Sequence, residues 1–278
     1  MDHKRIEWLF LIVFLLIDIY LGIEVLRSPV GISDGSTTNS TSTDIRMEMR
    51  ADGIELPDNI SQAQSSGYYL AAKKRDYLSS KVTSLTQVDA TYYKSENVIR
   101  AVPRDLVVAK GSKKEVLKAL NDFKNDPHNV PYGKQFTYES NMSSDGSYTF
   151  VQTSEYGDIY DNSAQLTINV KNGLIDSYYM TYLGPVNPVR ELQSTISSWH
   201  AVRAMYTNRE LANNTKIIEI KLGYSELTNV RGSTILQPTW LVWVENKNTR
   251  NITLKRVNAF TGQILQSNTS YNVDNIEK

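Results

Sequence analysis

Cysteine is absent from all 278 residues, and with it go disulfide staples, thiolate nucleophiles, zinc–thiolate sites and lipidated-cysteine anchors. Histidine is nearly as scarce. Only His3, His128 and His200 supply imidazoles, which is too few for a multi-histidine metal centre. Net charge is also missing, since 30 basic side chains balance 30 acidic ones. A protein that tracks nucleic-acid phosphates carries a basic excess or stripe, so that class is set aside. No P-loop, dinucleotide fingerprint, EF-hand loop or HExxH motif occurs. The expectation is therefore no cofactor, no metal and no small-molecule substrate. What is present is enough chain for one or two domains with a real core. The 17 tyrosines are amphipathic rings that suit half-buried, solvent-facing sheets.

The longest apolar run is Trp8–Leu26. As a helix it would measure roughly 28 Å, close to the ~30 Å of a bilayer's hydrocarbon core. No small-residue cleavage site follows it, because the run continues through Tyr20, Leu21, Ile23, Val25 and Leu26. An uncleaved transmembrane anchor is expected rather than a signal peptide. Lys4 and Arg5 precede the span and Arg27 alone follows closely, so the N-terminus is expected in the cytoplasm and the bulk of the chain outside the cell. Asp18 sits inside this run. A carboxylate there costs about 2.5–3.5 kcal/mol, which the surrounding Leu, Ile, Val and Phe, at about −0.3 to −0.6 kcal/mol each, outweigh. At helical spacing Leu11, Phe14, Asp18, Gly22 and Val25 share one stripe. A small residue beside a polar one is the composition of a helix–helix contact in lipid. Two readings stay open: a contact face for a partner helix, or an acid that is protonated or snorkels with Glu24 to the outer surface.

The spacing divides the chain into a cytoplasmic head (1–7), a transmembrane helix (8–26), a linker (27–43) and two exterior α+β units (44–186 and 187–278). The linker, SPVGISDGSTTNSTST in its main part, has a flexible composition. Order is expected from Asp44, with a short helix over Ile45–Ala51 and then Gly53. In the first unit Ser112–Phe123 places Val116, Leu117, Leu120 and Phe123 on one helical face, with Ser112 as N-cap. Strands are expected at Tyr68–Lys73, Val88–Tyr93, Val98–Val102, Ser147–Thr153, Ala164–Val170 and Leu174–Leu183, the last two joined by an Asn172–Gly173 turn. In the second unit Val189–Tyr206 carries Leu192, Ile196, Trp199 and Val202 at helical spacing. Strands follow at Lys216–Tyr224, Thr239–Glu245, Thr253–Ala259 and Gln263–Leu265. Each unit is thus a helix packed on a mainly antiparallel sheet, with Pro185–Pro188 as the boundary. Within PTWLVWVEN, Trp240, Val242 and Val244 alternate inward. Trp243 then either is an exposed contact residue or packs under the helix carrying Trp199.

Three groups of residues invite a catalytic reading. Glu155, Asp158 and Asp161 resemble paired carboxylates for glycoside hydrolysis, but the segment also has the Gly and Asn content of a solvated loop. Ser197, Ser198 and His200 lie too close along a helix to aim at one another, and no strained nucleophile elbow is present. Lys110–Lys118 (KGSKKEVLK) is a basic patch that reads as the solvated face of a helix. No catalytic residue is expected.

Several blocks in order resemble the YycI (WalI) family. They are DHKRIEWLFLIVFLLIDIYL at Asp2–Leu21, GYYLAAKK at Gly67–Lys74, LGYSEL at Leu222–Leu227, PTWLVWVEN at Pro238–Asn246 and VNAFTGQIL at Val257–Leu265. The last block is also similar to PepSY-type domains, so the C-terminal unit looks PepSY- and YycH-like. The resemblance implies a regulatory protein of the WalK–WalR (YycG–YycF) two-component system of Gram-positive bacteria. It implies single-pass membrane attachment, a YycH-like partner and a WalK-like sensor histidine kinase contacted largely through transmembrane helices, with effects on the cell wall. The family brings no catalytic residues. The expected function is a non-enzymatic, membrane-anchored regulator of that kinase. The alternatives are an exterior wall hydrolase using Glu155 and Asp158, or a PepSY-like inhibitor of an exterior protease.

Overall fold

A computed structural model describes residues 8, 10–20, 38–58 and 60–265. The chain divides into two compact units, Met1–Glu48 and Met49–Lys278. In the first, Trp8 and residues 10–20 are helical. Among the described residues no helix is long and apolar enough to cross a membrane; residues 21–26 of the expected span lie outside them. Helix α1 (Thr38–Ala51) begins earlier than the expected Ile45. It takes in the last six residues of the expected linker, since each residue added to a formed helix gains a backbone hydrogen bond without a new nucleation cost. Its end is well specified. Gly53 adopts φ +73°, its amide bonds the Arg50 carbonyl at 3.0 Å, and the Ile54 amide bonds the Met49 carbonyl at 2.8 Å. That pair of bonds is a Schellman stop, which a glycine in the left-handed region makes possible.

The second unit is built on strands β1 (Ser66–Gly67), β2 (Leu70–Lys73), β3 (Val88–Tyr93), β4 (Val98–Pro103), β5 (Phe136–Tyr138), β6 (Ser147–Ser154), β7 (Gly157–Ile159), β8 (Gln165–Lys171), β9 (Leu174–Thr181), β10 (Val186–Pro188), β11 (Gln193–Ser194), β12 (Thr215–Val230), β13 (Ser233–Asn246), β14 (Ile252–Asn258) and β15 (Ile264–Leu265). Its helices are α2 (Ser79–Val82), α3 (Lys113–Asn125) and α4 (Ser198–Thr207). The fold is mixed α+β with a large, mainly antiparallel sheet. Among the described residues, 13 strands join one sheet in which β10, β2, β13, β12, β7, β6, β8, β9, β4 and β3 follow one another across. Strands expected in two separate exterior sheets therefore share one. The seam is narrow: β7 meets β12 in parallel through Ile159 and Tyr224 alone, reinforced by the Tyr160 amide donating to the Tyr224 carbonyl at 2.8 Å.

On one side of the seam, α3 packs against the β4–β9 part of the sheet. Its start is fixed by a capping box in which Ser112 and Glu115 satisfy each other's backbone amides, relieving the unpaired donors of the first turn. Val116, Leu120 and Phe123 are buried in a cluster with Ile99, Ile168, Tyr178 and Met180. On the other side, the expected helix Val189–Tyr206 is realised only as Ser198–Thr207. The reason is that the backbone before it is used otherwise: Gln193 and Ser194 pair with β1, the Thr195 amide bonds Ser65 O at 2.8 Å and the Ile196 amide bonds Ala259 O at 2.7 Å. Leu192, placed by spacing on the buried face, is 54% exposed. Ser197 is the true N-cap, accepting from the His200 amide at 3.1 Å.

Candidate partner-contact sites

The N-terminal stripe is the first candidate. Leu11 and Phe14 are 62% and 58% exposed, and Asp18 is exposed on the same face. The rings of Phe10 and Phe14 lie 6.0 Å apart one turn from each other. Gly22 and Val25 lie outside the described residues. Contiguous exposed apolar surface of this kind makes the stripe a candidate contact surface.

Trp243, the other candidate, is not a surface residue. It is 1% exposed, because β13 is covered on both faces from Leu236 to Val244. The buried cluster it joins does not include the helix carrying Trp199. Trp243 belongs to a cluster with Val151, Tyr160, Leu241 and Leu254, and its ring meets Tyr160 edge-on at 5.7 Å. Trp240 is the residue that reaches the start of α4, donating from Nε1 to the Ile196 carbonyl at 2.9 Å.

Around Trp243 the seam carries a polar cluster that no local pattern announces. Glu139, just after β5, is 2% exposed. One of its oxygens, Oε2, accepts from the Tyr160 hydroxyl at 2.9 Å and from Lys221 Nζ at 3.0 Å; the other, Oε1, accepts from the Asn141 amide at 3.1 Å. Lys221 also pairs with Glu219 at 3.1 Å and lies 5.5 Å from the Trp243 ring centroid. Asn141 donates to Glu219 in turn. Burial pulls the Lys221 ammonium downward, but the Glu139 and Glu219 carboxylates outweigh it and its pKa is raised. Burial first, and the Glu139 charge second, push the Tyr160 hydroxyl up. Each member is satisfied except Trp243 Nε1, which is buried without a hydrogen-bond partner. Gly223 makes the arrangement possible, since a Cβ there would sit 2.9 Å from the Tyr160 ring. A glycine within a strand is a signal of close approach, the one local hint of this cluster. Chemically, the cluster is a lock between β12 and the β5–β7 segment.

The residues with catalytic appeal are employed structurally. Asp158 accepts from Thr153 Oγ1 at 2.7 Å, and Asp161 accepts from the Ser163 amide at 2.9 Å. Glu155 is exposed at the β6–β7 turn. Ser198 Oγ is committed to the backbone of Ser61 at 3.0 Å, and the Ser197 hydroxyl is occupied by its helix cap. Burial, and then Arg203, hold the His200 imidazole below its usual pKa. Among the described residues no group of three or more His, Asp or Glu is placed to hold a metal.

Comparison with known proteins decides the family. The YycI protein family matches residues 32–260. The chain belongs to the YycI family. At family level it is a regulator of the YycG (WalK) system, as the sequence resemblance implied. No curated protein matches the chain. Among solved structures, similarity extends to an uncharacterized protein from Eubacterium rectale ATCC 33656 (9% identity, 77% of this chain, 91% of that one, TM-score 0.45). It extends also to YycH from Bacillus subtilis (9% identity, 76% and 61%, TM-score 0.45) and to the Bacillus megaterium YpeB C-terminal domain (14% identity, 82% and 97%, TM-score 0.36).

Proposed function

We propose that this YycI-family chain regulates a WalK-like sensor histidine kinase without catalysing a reaction, together with a YycH-like partner. In this proposal the N-terminal helix is a single membrane pass with a cytoplasmic N-terminus, and the sheet body lies outside the cell. No cofactor, nucleic acid or small-molecule substrate enters it. The family match carries the regulatory part. The exposed apolar helix at residues 10–20 supports the membrane part, because water is a poor neighbour for so much uncovered Leu, Ile and Phe. Leu11, Phe14, Asp18, Gly22 and Val25 form the face that meets partner helices.

Replacing Asp18 by Leu removes the polar member of that face and lowers the cost of insertion. The variant is expected to insert as well as the wild type, while co-purification with the kinase in detergent falls about fivefold, the scale of one intramembrane polar contact. Unchanged recovery of the kinase and unchanged kinase output would remove the helix from the contact. Because the chain lacks cysteine, a single introduced thiol reports topology cleanly. His3→Cys is expected to be shielded from a membrane-impermeant maleimide in intact cells, and Asn248→Cys to be labelled. The reverse pattern would refute the orientation.

A further inference from the structure

A second exterior feature also lies where the two parts of the sheet meet. Lys74 and Arg75 follow β2, Lys94 sits on the β3–β4 turn, and all three are exposed. Together they line a recess of about 450 Å³ whose other walls include Tyr92, Leu183 and Thr234. The recess is held rigidly. The Lys74 amide bonds the Gly232 carbonyl at 2.9 Å, the Tyr92 hydroxyl bonds Asn97 at 3.0 Å, and Tyr77 packs over Gly184, whose φ of +92° and lack of a side chain leave room for the ring.

The three cations have no ion-pair partner among the described residues. Asp76 is the one carboxylate in the lining, against three cations, and it and the nearby acids are turned to hydrogen-bond donors of their own. Asp76 accepts from the Ser79 amide at 2.9 Å, Asp161 from Ser163 Oγ at 2.7 Å, and Glu226 from Asn229. Glu226 also feels Lys74, while burial and Asp161 keep its carboxyl above the usual range. A rigid opening at the junction of two packed halves is where binding sites concentrate. An arginine fork beside two point-charge ammoniums is suited to carboxylates. The half-buried Tyr92 ring, over the nearly closed-off Tyr182 and Leu183, adds apolar wall that a bare inorganic anion does not need.

We infer that this recess receives an acidic peptide segment, with an apolar side chain among its carboxylates, from the exterior part of the YycH-like partner. The inference rests on the partner reading above and adds the surface that makes the contact. Charge complementarity of this type governs encounter and specificity, and it weakens with salt.

The test co-expresses the full chain with the YycH-like partner and measures recovery in detergent. Reversing two rim charges (Lys74→Glu with Lys94→Glu) is expected to lower recovery at least about tenfold, and raising salt to about 0.5 M is expected to do the same to the wild type. A control pair, Lys113→Glu with Lys114→Glu, reverses equal charge on α3 and is expected to keep recovery unchanged. Equal recovery of wild type and rim variant overturns this surface while leaving the partner reading intact. Equal loss in the control overturns it as well, by showing an effect of total charge. Failure of the wild type to recover the partner at all defeats the partner reading and this surface with it. Competition identifies the occupant: a peptide alternating glutamate and leucine is expected to displace the partner. Displacement by polyphosphate or by anionic vesicles, with no effect of the peptide, would overturn the peptide assignment.

Discussion

The described N-terminal helix and the strand β13 are both rich in large apolar residues, yet their surroundings are opposite. Along residues 10–20 every side chain is exposed. Along β13, Leu236 to Val244 are buried without interruption, because one face of the strand looks toward Tyr160 and the other toward the start of α4. The sheet body supplies its own cover. The helix has no such cover among the described residues. Substitutions in the buried core of the body should therefore cost stability and leave partner recovery to follow folding, whereas substitutions on the helix stripe should do the reverse.

The largest expected effect tests the body's own close packing. A Cβ on Gly133 would lie 1.7 Å from the Lys124 carbonyl oxygen, which is backbone and cannot swing aside. Gly133→Ala is expected to destabilise by about 3 kcal/mol or more, the upper end of overpacking, read as the shift of the denaturation midpoint of the detergent-solubilised chain. A midpoint within error of wild type would mean that α3 and the segment after it are not held as described.

Next comes the seam. Glu139→Ala leaves the buried Tyr160 hydroxyl without its acceptor and takes one of two carboxylates from Lys221, for an expected loss of about 2–3 kcal/mol. The half-exposed Lys221 accounts for the smaller part of that loss. Its raised pKa also sets a pH dependence. A cation stabilised by folding contributes fully below its ordinary value of 10.5 and loses the contribution as pH rises through the higher folded value. Between neutrality and strongly alkaline pH the denaturation midpoint should fall more steeply in the wild type than in Lys221→Met. Parallel curves would remove the lock from the account of the seam.

The smallest effect is at Leu192, which is 54% exposed. Leu192→Ser is expected to change stability by less than about 0.5 kcal/mol. A larger loss would restore the longer helix that its spacing suggests.

These differences explain what the sequence could and could not disclose. Local patterns gave the cores of β3, β4, β6, β8 and β9 to within a few residues, and Ser112 announced the start of α3, whereas its partner Glu115 in the capping box was not read. The apolar spacing of Leu192, Ile196, Trp199 and Val202 was equally local but misleading at its first two positions, where long-range backbone bonds from Thr195 and Ile196 replace the helical ones. Trp243 could not be placed because a strand buried on both faces has no outward side. Glu139 and Lys221 are 82 positions apart in sequence, and Glu139 reads by composition as a surface acid. Of the helix stripe, the spacing of Leu11, Phe14 and Asp18 was legible, and the absence of cover over them required coordinates.

The clamp at the start of β12 bears on how the body would respond to mechanical load. The chain entering from α1 is stitched alongside β12 in parallel, with the Glu55 amide bonded to Thr215 O and the Ile217 amide bonded to Glu55 O, each at 2.9 Å. Lys247 ties the same point down, reaching Glu55 and the Gly53 carbonyl at 2.7 Å each. Tension arriving along the N-terminal segment would thus pass first into the long β12–β13 hairpin, and would reach the α3 side across the Ile159–Tyr224 seam and the Glu139–Lys221 lock beside it.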